Sequence, residues 1–286
     1  MKNDCAHSYQ ALKQQSSSAY RRPFLSVVRF AICCALVVAS TGVAADWQST
    51  VTKDPGTFPP LRPLQATYAF GWSGFSAATG EVHFTKPSED HFQLDATGRT
   101  TGLARALWKL DATHYALADA ETLRPIETKQ IEAYRWKKLI THLTFKSNGV
   151  KSERTDDATT KNRDFGFPGL LDLHSAMLFL RSQPLKERSV YRIVVYPASS
   201  AYLATITVTG REKVSIRAGT YKTIKLDLKL NKIGKNLELE PHRKFRRGTI
   251  WISDDADRIL LRIEAQIFVG TVFVELQSIH YEDPKS

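Results

Sequence analysis

The sequence predicts a mainly β protein, a strongly curved antiparallel sheet or open barrel carrying one or two short helices. Three observations lead there. Apolar and polar side chains alternate through most of residues 64–282, and a period of two puts successive side chains on opposite faces of a strand. Turn-forming clusters punctuate the alternation, among them Ser147-Asn148-Gly149 and Arg217-Ala218-Gly219-Thr220. Clear helical spacing is confined to residues 170–181, with 99–110 as a second, shorter candidate.

Residues 1–45 read as an export signal peptide. A polar start ends in Arg21, Arg22 and Arg29, residues 30–39 are an apolar run, and Val43-Ala44-Ala45 supplies small residues for cleavage. The run is shorter than the ~20 residues that cross a bilayer as a helix. The expectation is a cleaved leader and a periplasmic product, exported by the general secretory or the twin-arginine route. Residues 46–63 contain Pro55, Pro59, Pro60 and Pro63, which resist helix and central strand and predict an extended arm. A single β domain is expected over 64–282.

Residues 68–82 are aromatic and Gly-rich, as in a strand, a tight connection and a second strand. In 99–110, Leu103, Leu107 and Leu110 fall at i, i+4 and i+7, which suits a brief helix or, alternatively, a strand pair. Strands are expected over 114–119 and 126–145, then a charged exposed loop over 153–163. The helix at 170–181 puts Leu173, Met177 and Leu180 on one face, with Asp172 to cap its start and Arg181 to suit its end. Strands follow over 191–196, 202–209, 212–216 and 221–230, with Ile224, Leu226 and Leu228 facing in. Residues 248–276 read as three consecutive strands. Ile250 and Ile252 share a face opposite Trp251, Asp254, Asp255 and Asp257 make a turn, and Leu261, Ile263, Ala265, Ile267 and Val269 form one row. Gly270 interrupts, and Val272, Val274 and Leu276 form the next row.

Composition narrows the chemistry. The 42% hydrophobic and 24% charged residues are ordinary for a globular protein. Cys5, Cys33 and Cys34 all lie in the leader, so a mature chain has no disulfide, thiolate metal site or cysteine nucleophile. The net charge is +11; residues 1–45 hold five Lys/Arg and one Asp, so their removal lowers it by four, to +7.

Three pieces of sequence carry a resemblance. They are Asp172-Leu173-His174-Ser175-Ala176 running to Phe179-Leu180-Arg181, then Glu212-Lys213-Val214 running to Ala218-Gly219-Thr220-Tyr221, then Trp251-Ile252-Ser253-Asp254-Asp255 with Arg258 and Gly270. In this order, with Tyr68, Trp72 and Gly80 ahead of them, they resemble the bacterial periplasmic domain-of-unknown-function family 3108 over roughly residues 64–282. That family usually has proline soon after the arginine, where Ile259-Leu260 stand here. The resemblance implies location and fold and brings no activity with it. The pattern of strands with one helix is also similar to the half-barrel lipoprotein carriers of the periplasm.

Catalytic readings are weak. Asp254, Asp255 and Asp257 lack the glycine and distal glutamate of a calcium loop. Ser76 in Gly74-Phe75-Ser76-Ala77-Ala78 lacks the second glycine and the strand-to-helix setting of a nucleophile elbow. The eight histidines show no zinc-ligand spacing. Asp172, His174 and Ser175 lie too close along one helix to converge as a triad. No enzyme, metal or cofactor is expected. The leading expectation is a periplasmic binding or carrier protein for a lipid-like ligand, its cavity lined by Trp72, Trp108, Met177 and Phe179. The rival is an envelope interaction or assembly factor working through the basic segment with Arg243, Lys244, Arg246 and Arg247, aimed at an anionic surface. Nucleic acid is not an expected partner, since Phe245 is the one aromatic in that segment. A hydrolase built from dispersed polar residues ranks below both.

Overall fold

A computed structural model describes residues 46–282; the expected leader at 1–45 lies outside them. The chain lays down two antiparallel meanders. The first contains β1 (Leu64–Trp72), β2 (Phe75–Ser88), β3 (His91–Thr100), β4 (Leu110–Asp119), β5 (Pro125–Tyr134), β6 (Lys138–Lys146), β7 (Gly149–Asp156) and β8 (Thr159–Gly166), with the short helix α1 (Gly102–Leu107) between β3 and β4. After α2 (Leu173–Ser182) come β9 (Val190–Val195), β10 (Tyr202–Ile216), β11 (Gly219–Ile233), β12 (Leu239–Pro241), β13 (Phe245–Ser253), β14 (Leu260–Ile267) and β15 (Gly270–Tyr281). β1 pairs with β15, Leu64 opposite Tyr281 and Phe70 opposite Val274. That pairing joins the meanders into one sheet ordered β8 to β1, then β15, β14, β13, β11, β10 and β9, with β12 beside β11.

The alternation legible in the sequence sets the faces. Ile224, Leu226, Ile250 and Ile252 belong to one core cluster, while Trp251, between the last two, points out and donates its indole N–H to Glu212 Oε1 at 2.6 Å. Gly270, at φ +128°, opens the β14–β15 turn, where a side chain would meet the indole of Trp72. The expected loop at 153–163 is instead the hairpin of β7 and β8. β8 is an edge strand, exposed along nearly its whole length, so both its faces are polar and no alternation announces it.

β8 and β9 end the sheet and do not pair with each other. The sheet curls until they meet, and side chains seal the seam. Gln130 Nε2 donates to the Pro197 carbonyl, Ser152 Oγ to that of Ala198 and Arg163 Nη1 to that of Ser199, at 2.8–3.1 Å. Beneath, Leu143 and Val150 pack against Val194 and Leu203. The predicted arm closes the same region: Thr52 hydrogen-bonds β9 at Arg192, and Trp47 stacks on Phe167 at 5.4 Å.

α2 lies across the inner face. Asp172 caps it as predicted, accepting from Ser175 N at 2.6 Å, and takes a second bond from Thr128 Oγ1 on β5 at 2.6 Å. Leu178 packs with Phe84, Phe92 and Ala118 of the first meander. Phe179 and Leu180 pack with Ile206, Leu226 and Ile252 of the second. Its carboxyl end is held by two arginines. Arg258 Nη1 donates to the carbonyls of Arg181 (2.6 Å) and Gln183 (2.5 Å), its guanidinium 3.2 Å from the centroid of Phe58. Arg181 reaches back to the carbonyls of Asp257 (2.8 Å) and Pro59 (3.0 Å). Arg258 sits at φ +45°, and the turn is fixed by Asp255 Oδ1, which accepts from Ser253 Oγ and from the amides of Asp257 and Arg258. Ile259 donates its N–H to Ser253 Oγ at 2.9 Å, a bond proline could not make.

Replacing Arg258 by alanine strips two helix-terminal carbonyls of a buried donor. Urea unfolding of Arg258→Ala should show about 3 kcal/mol less stability, and a loss below about 1 kcal/mol would show that α2 is held by packing alone.

Candidate functional site

The inner face changes character along the strands. Near α2 it is dry: Leu226, Leu276, Leu261 and Ala116 are 0% exposed. Farther along the same strands and the same face, Leu228, Val274, Ile263 and His114 are half-buried, and Phe70 is 38% exposed. The helix fills only one half of the folded-over sheet. Beyond it the inner face is only half-buried, and this stretch is the bowl. Met177, Leu228, Leu230 and Ile263 are partly buried against the same core cluster at its floor, Met177 one helical turn from Leu173, which is 54% exposed.

The two walls of the bowl differ. On β11, β13, β14, β15 and β1 the inward side chains are aliphatic or aromatic. On β4 to β7 polar groups predominate: His114, Gln130, Glu132, Thr141 and Arg154 share that face by register with Ala112 and Leu139. Glu132 accepts from Tyr134 Oη at 3.0 Å and pairs with Arg154 at 3.7 Å.

The sequence-predicted residues distribute across this bowl. Trp72 stands at the lip, its indole donating to the Val269 carbonyl at 3.0 Å. Trp108 is also at the lip, stacked on Tyr134 at 6.1 Å. Met177 is at the floor. Phe179 is 1% exposed inside the core, below the floor and out of reach of the open space. Arg243, Lys244 and Arg246 are exposed at the start of β13, the same end of the sheet as the lip, and Arg247 ion-pairs with Asp227. Sequence reasoning missed Arg154, Glu132 and Leu173 as bowl residues. Strand parity carried that signal for the first two, because they share a face with Thr128 and Thr141.

The remaining candidates resolve as structure. His174 and Ser175 are buried, but His174 Nε2 and Ser175 Oγ have no hydrogen-bond partner among the described residues and do not bond each other, so no nucleophile is activated there. Asp254, Asp255 and Asp257 serve the β13–β14 turn and ion pairs to Arg211 and Arg62. No group of three or more metal-ligating side chains gathers among the described residues. A groove of about 720 Å³ runs over the outer face, lined by Glu81, His83, Asp95, Tyr115, Lys129 and His280 among others. Its lining mixes these charged side chains with Val82, Ile131 and Ile279.

The family of proteins of unknown function DUF3108 matches residues 65–277, and the chain belongs to it. A solved β-barrel-like protein of DUF1849 from Brucella abortus aligns with 79% of this chain and 100% of its own, with a TM-score of 0.54 at 9% identity. That likeness concerns the fold alone. A protein with a YmcC-like fold from Bacteroides fragilis (79% of this chain, 99% of its own, 12% identity) and a Parabacteroides distasonis protein (80% and 100%, 10% identity) align with TM-scores of 0.29 and 0.34, too low to support an argument. No curated protein matches the chain.

Burial sets an acid limit on the floor of the bowl. Desolvation pushes the His174 imidazole down to about 4, against the favourable field of Asp172, and lowers His114 in the same sense. The unfolded chain takes up these protons near pH 6.5, whereas folded His174 refuses its proton until about pH 4. Stability is therefore complete above pH 6.5 and falls as pH drops toward 4, by up to about 1.4 kcal/mol per pH unit from His174, with His114 acting in the same direction. Thermal unfolding should show Tm falling by about 5–10 °C between pH 7 and 4.5, with the fall reduced in His174→Leu. An unchanged fall in that variant would acquit His174.

Proposed function

We propose that this DUF3108 member is a non-enzymatic binding protein for a lipid-like amphiphile, held in the open half of its folded-over sheet. The observation that carries the reading is the change along β1, β11, β14 and β15, whose inner faces pass from fully buried beside α2 to half-open beyond it. Half-open aliphatic side chains in a concave face leave apolar area that water must cover, at roughly 25 cal/mol per Å². An acyl chain laid against Leu228, Ile263 and Val274 removes that area from water. The polar wall suits the other end of such a molecule: Arg154 offers a guanidinium and His114 and Gln130 further hydrogen-bonding groups to a head group. Met177 adapts its unbranched side chain to whatever lies above it. Trp72 and Trp108 frame the entrance.

The location proposed for this work is the periplasm, on the strength of the leader pattern in residues 1–45. A carrier there needs a mouth through which an amphiphile enters, and the strand ends around Trp72 and Trp108 are the place for it, away from the sealed seam.

Native mass spectrometry of protein purified gently from its own compartment should show an added mass that organic extraction removes. Displacement of N-phenyl-1-naphthylamine by a long-chain fatty acid should then report binding in the bowl. Leu173→Glu and Ile263→Lys should each weaken it about tenfold, or ~1.4 kcal/mol. Clean protein that takes up neither the dye nor the fatty acid would refute the reading.

A further inference from the structure

Among the described residues, thirteen large hydrophobic side chains are exposed. Eleven of them stand at or near one end of the sheet, the end where the bowl opens; Leu173 and Val190 are the other two. The antiparallel meander explains the grouping. The β1–β2 and β14–β15 turns, α1 and the β5–β6 turn all connect strands at that end. They are neighbours there: the Trp72 indole bonds the Val269 carbonyl, and Arg135 on the β5–β6 turn donates to the Ala106 carbonyl of α1 at 2.8 Å. The result is one continuous apolar rim. Phe75, Leu103, Leu107 and Trp136 are 77–86% exposed on it, far beyond the scattered apolar residues of an ordinary surface.

Cations flank the rim. Arg135, Lys137 and Lys138 are exposed beside Trp136, and Arg243, Lys244 and Arg246 are exposed at the β13 start. The β13 start adjoins the β14–β15 turn, Phe268 N donating to the Lys244 carbonyl at 3.1 Å. Arg243, Lys244 and Arg246 have no carboxylate partner among the described residues. Aromatic and leucine side chains at one level with unpaired cations around them match the composition that seats a protein in a bilayer interface, apolar groups at the acyl boundary and cations at anionic headgroups.

We propose that this rim docks on an anionic lipid surface, with the mouth of the bowl facing the bilayer. The surface stands independently of any cargo in the bowl, since Phe75, Leu103, Leu107 and Trp136, its most exposed members, sit in α1, at the β1–β2 turn and in the β5–β6 turn and not on the inner face. It also unites the two sets of residues that the sequence kept apart, Trp72 and Trp108 on one side and the basic segment at 243–246 on the other. A protein partner would ask for a patterned polar rim around one anchor; a ring of leucine and aromatic tips with cations on both flanks asks for a fluid, negatively charged plane.

Vesicle flotation tests it with the full exported chain, using vesicles of phosphatidylcholine alone and of phosphatidylcholine mixed with phosphatidylglycerol. Binding should be confined to the anionic vesicles and weaken as salt shortens the Debye length toward ~3 Å at 1 M. Arg243→Glu, Lys244→Glu and Arg246→Glu together should lower affinity by roughly fivefold for each residue. Leu103→Asp with Leu107→Asp, both on solvent-facing positions of α1, should lower it at least about tenfold and abolish the blue shift of tryptophan emission. Circular dichroism confirms that each variant is folded. Failure of the unaltered protein to bind, equal binding to neutral vesicles, or undiminished binding by either variant overturns the proposal.

Discussion

Everything in this fold turns on the carboxyl end of α2, where buried Arg258 holds the backbone of Arg181 and Arg181 holds the backbone just ahead of Arg258. Arg258 donates to the carbonyls of Arg181 and Gln183, and Arg181 donates to the carbonyl of Asp257. The helix therefore cannot move without unsatisfying the β13–β14 turn, nor the turn without the helix. Like charges this close are costly: burial first, and Arg258 second, push the Arg181 guanidinium down to about 10. The arrangement persists because six neighbouring carbonyls, those of Pro59, Ala256, Asp257, Arg181, Gln183 and Pro184, accept from the two guanidinium groups and supply the compensation that a buried cation requires. The Phe58 ring beneath Arg258 carries the arm of the chain into the same knot.

The lock decides what the rest of the sheet can be. A helix pinned at one end of a folded-over sheet fills that half and leaves the other half without a plug. The sheet is not closed by backbone pairing between β8 and β9, so its closure there depends on side-chain seals and on the arm. Stability thus concentrates around α2, where the inner face is fully buried, and the proposed binding face lies at the opposite end, where it is not. That division is a physical reason for one molecule to combine a rigid base with an adaptable apolar bowl.

Much of the architecture was legible in the sequence because period two and turn chemistry are local signals. Residues 248–276 gave three strands with the correct faces, and Asp172 gave the start of α2. The family resemblance rested on three separated pieces, and two of them, 172–181 and 251–258, proved to be the two sides of the arginine lock; Glu212, from the third, accepts from Trp251 beside it. β8 was hidden because an exposed edge strand needs no apolar row. The pairing of β1 with β15, across some two hundred residues, has no local signature, and neither does the choice of backbone carbonyls by Arg258. Of the four side chains singled out as lining, Met177 is partly buried and Trp72 and Trp108 are exposed at the strand ends, while Phe179 is core. The common end of Trp72, Trp108 and residues 243–246 follows from strand parity only once both meanders are known to share one sheet.

The central claim is that α2 fills one half of the sheet and leaves the other as the binding face. Methyl NMR with a nitroxide-labelled fatty acid reads both halves at once. The account predicts paramagnetic broadening at Leu173, Met177, Leu228 and Ile263, with Leu143, Val150 and Leu203 unaffected. Broadening spread evenly over these methyls, or confined to Ile131 in the outer-face groove, would contradict it.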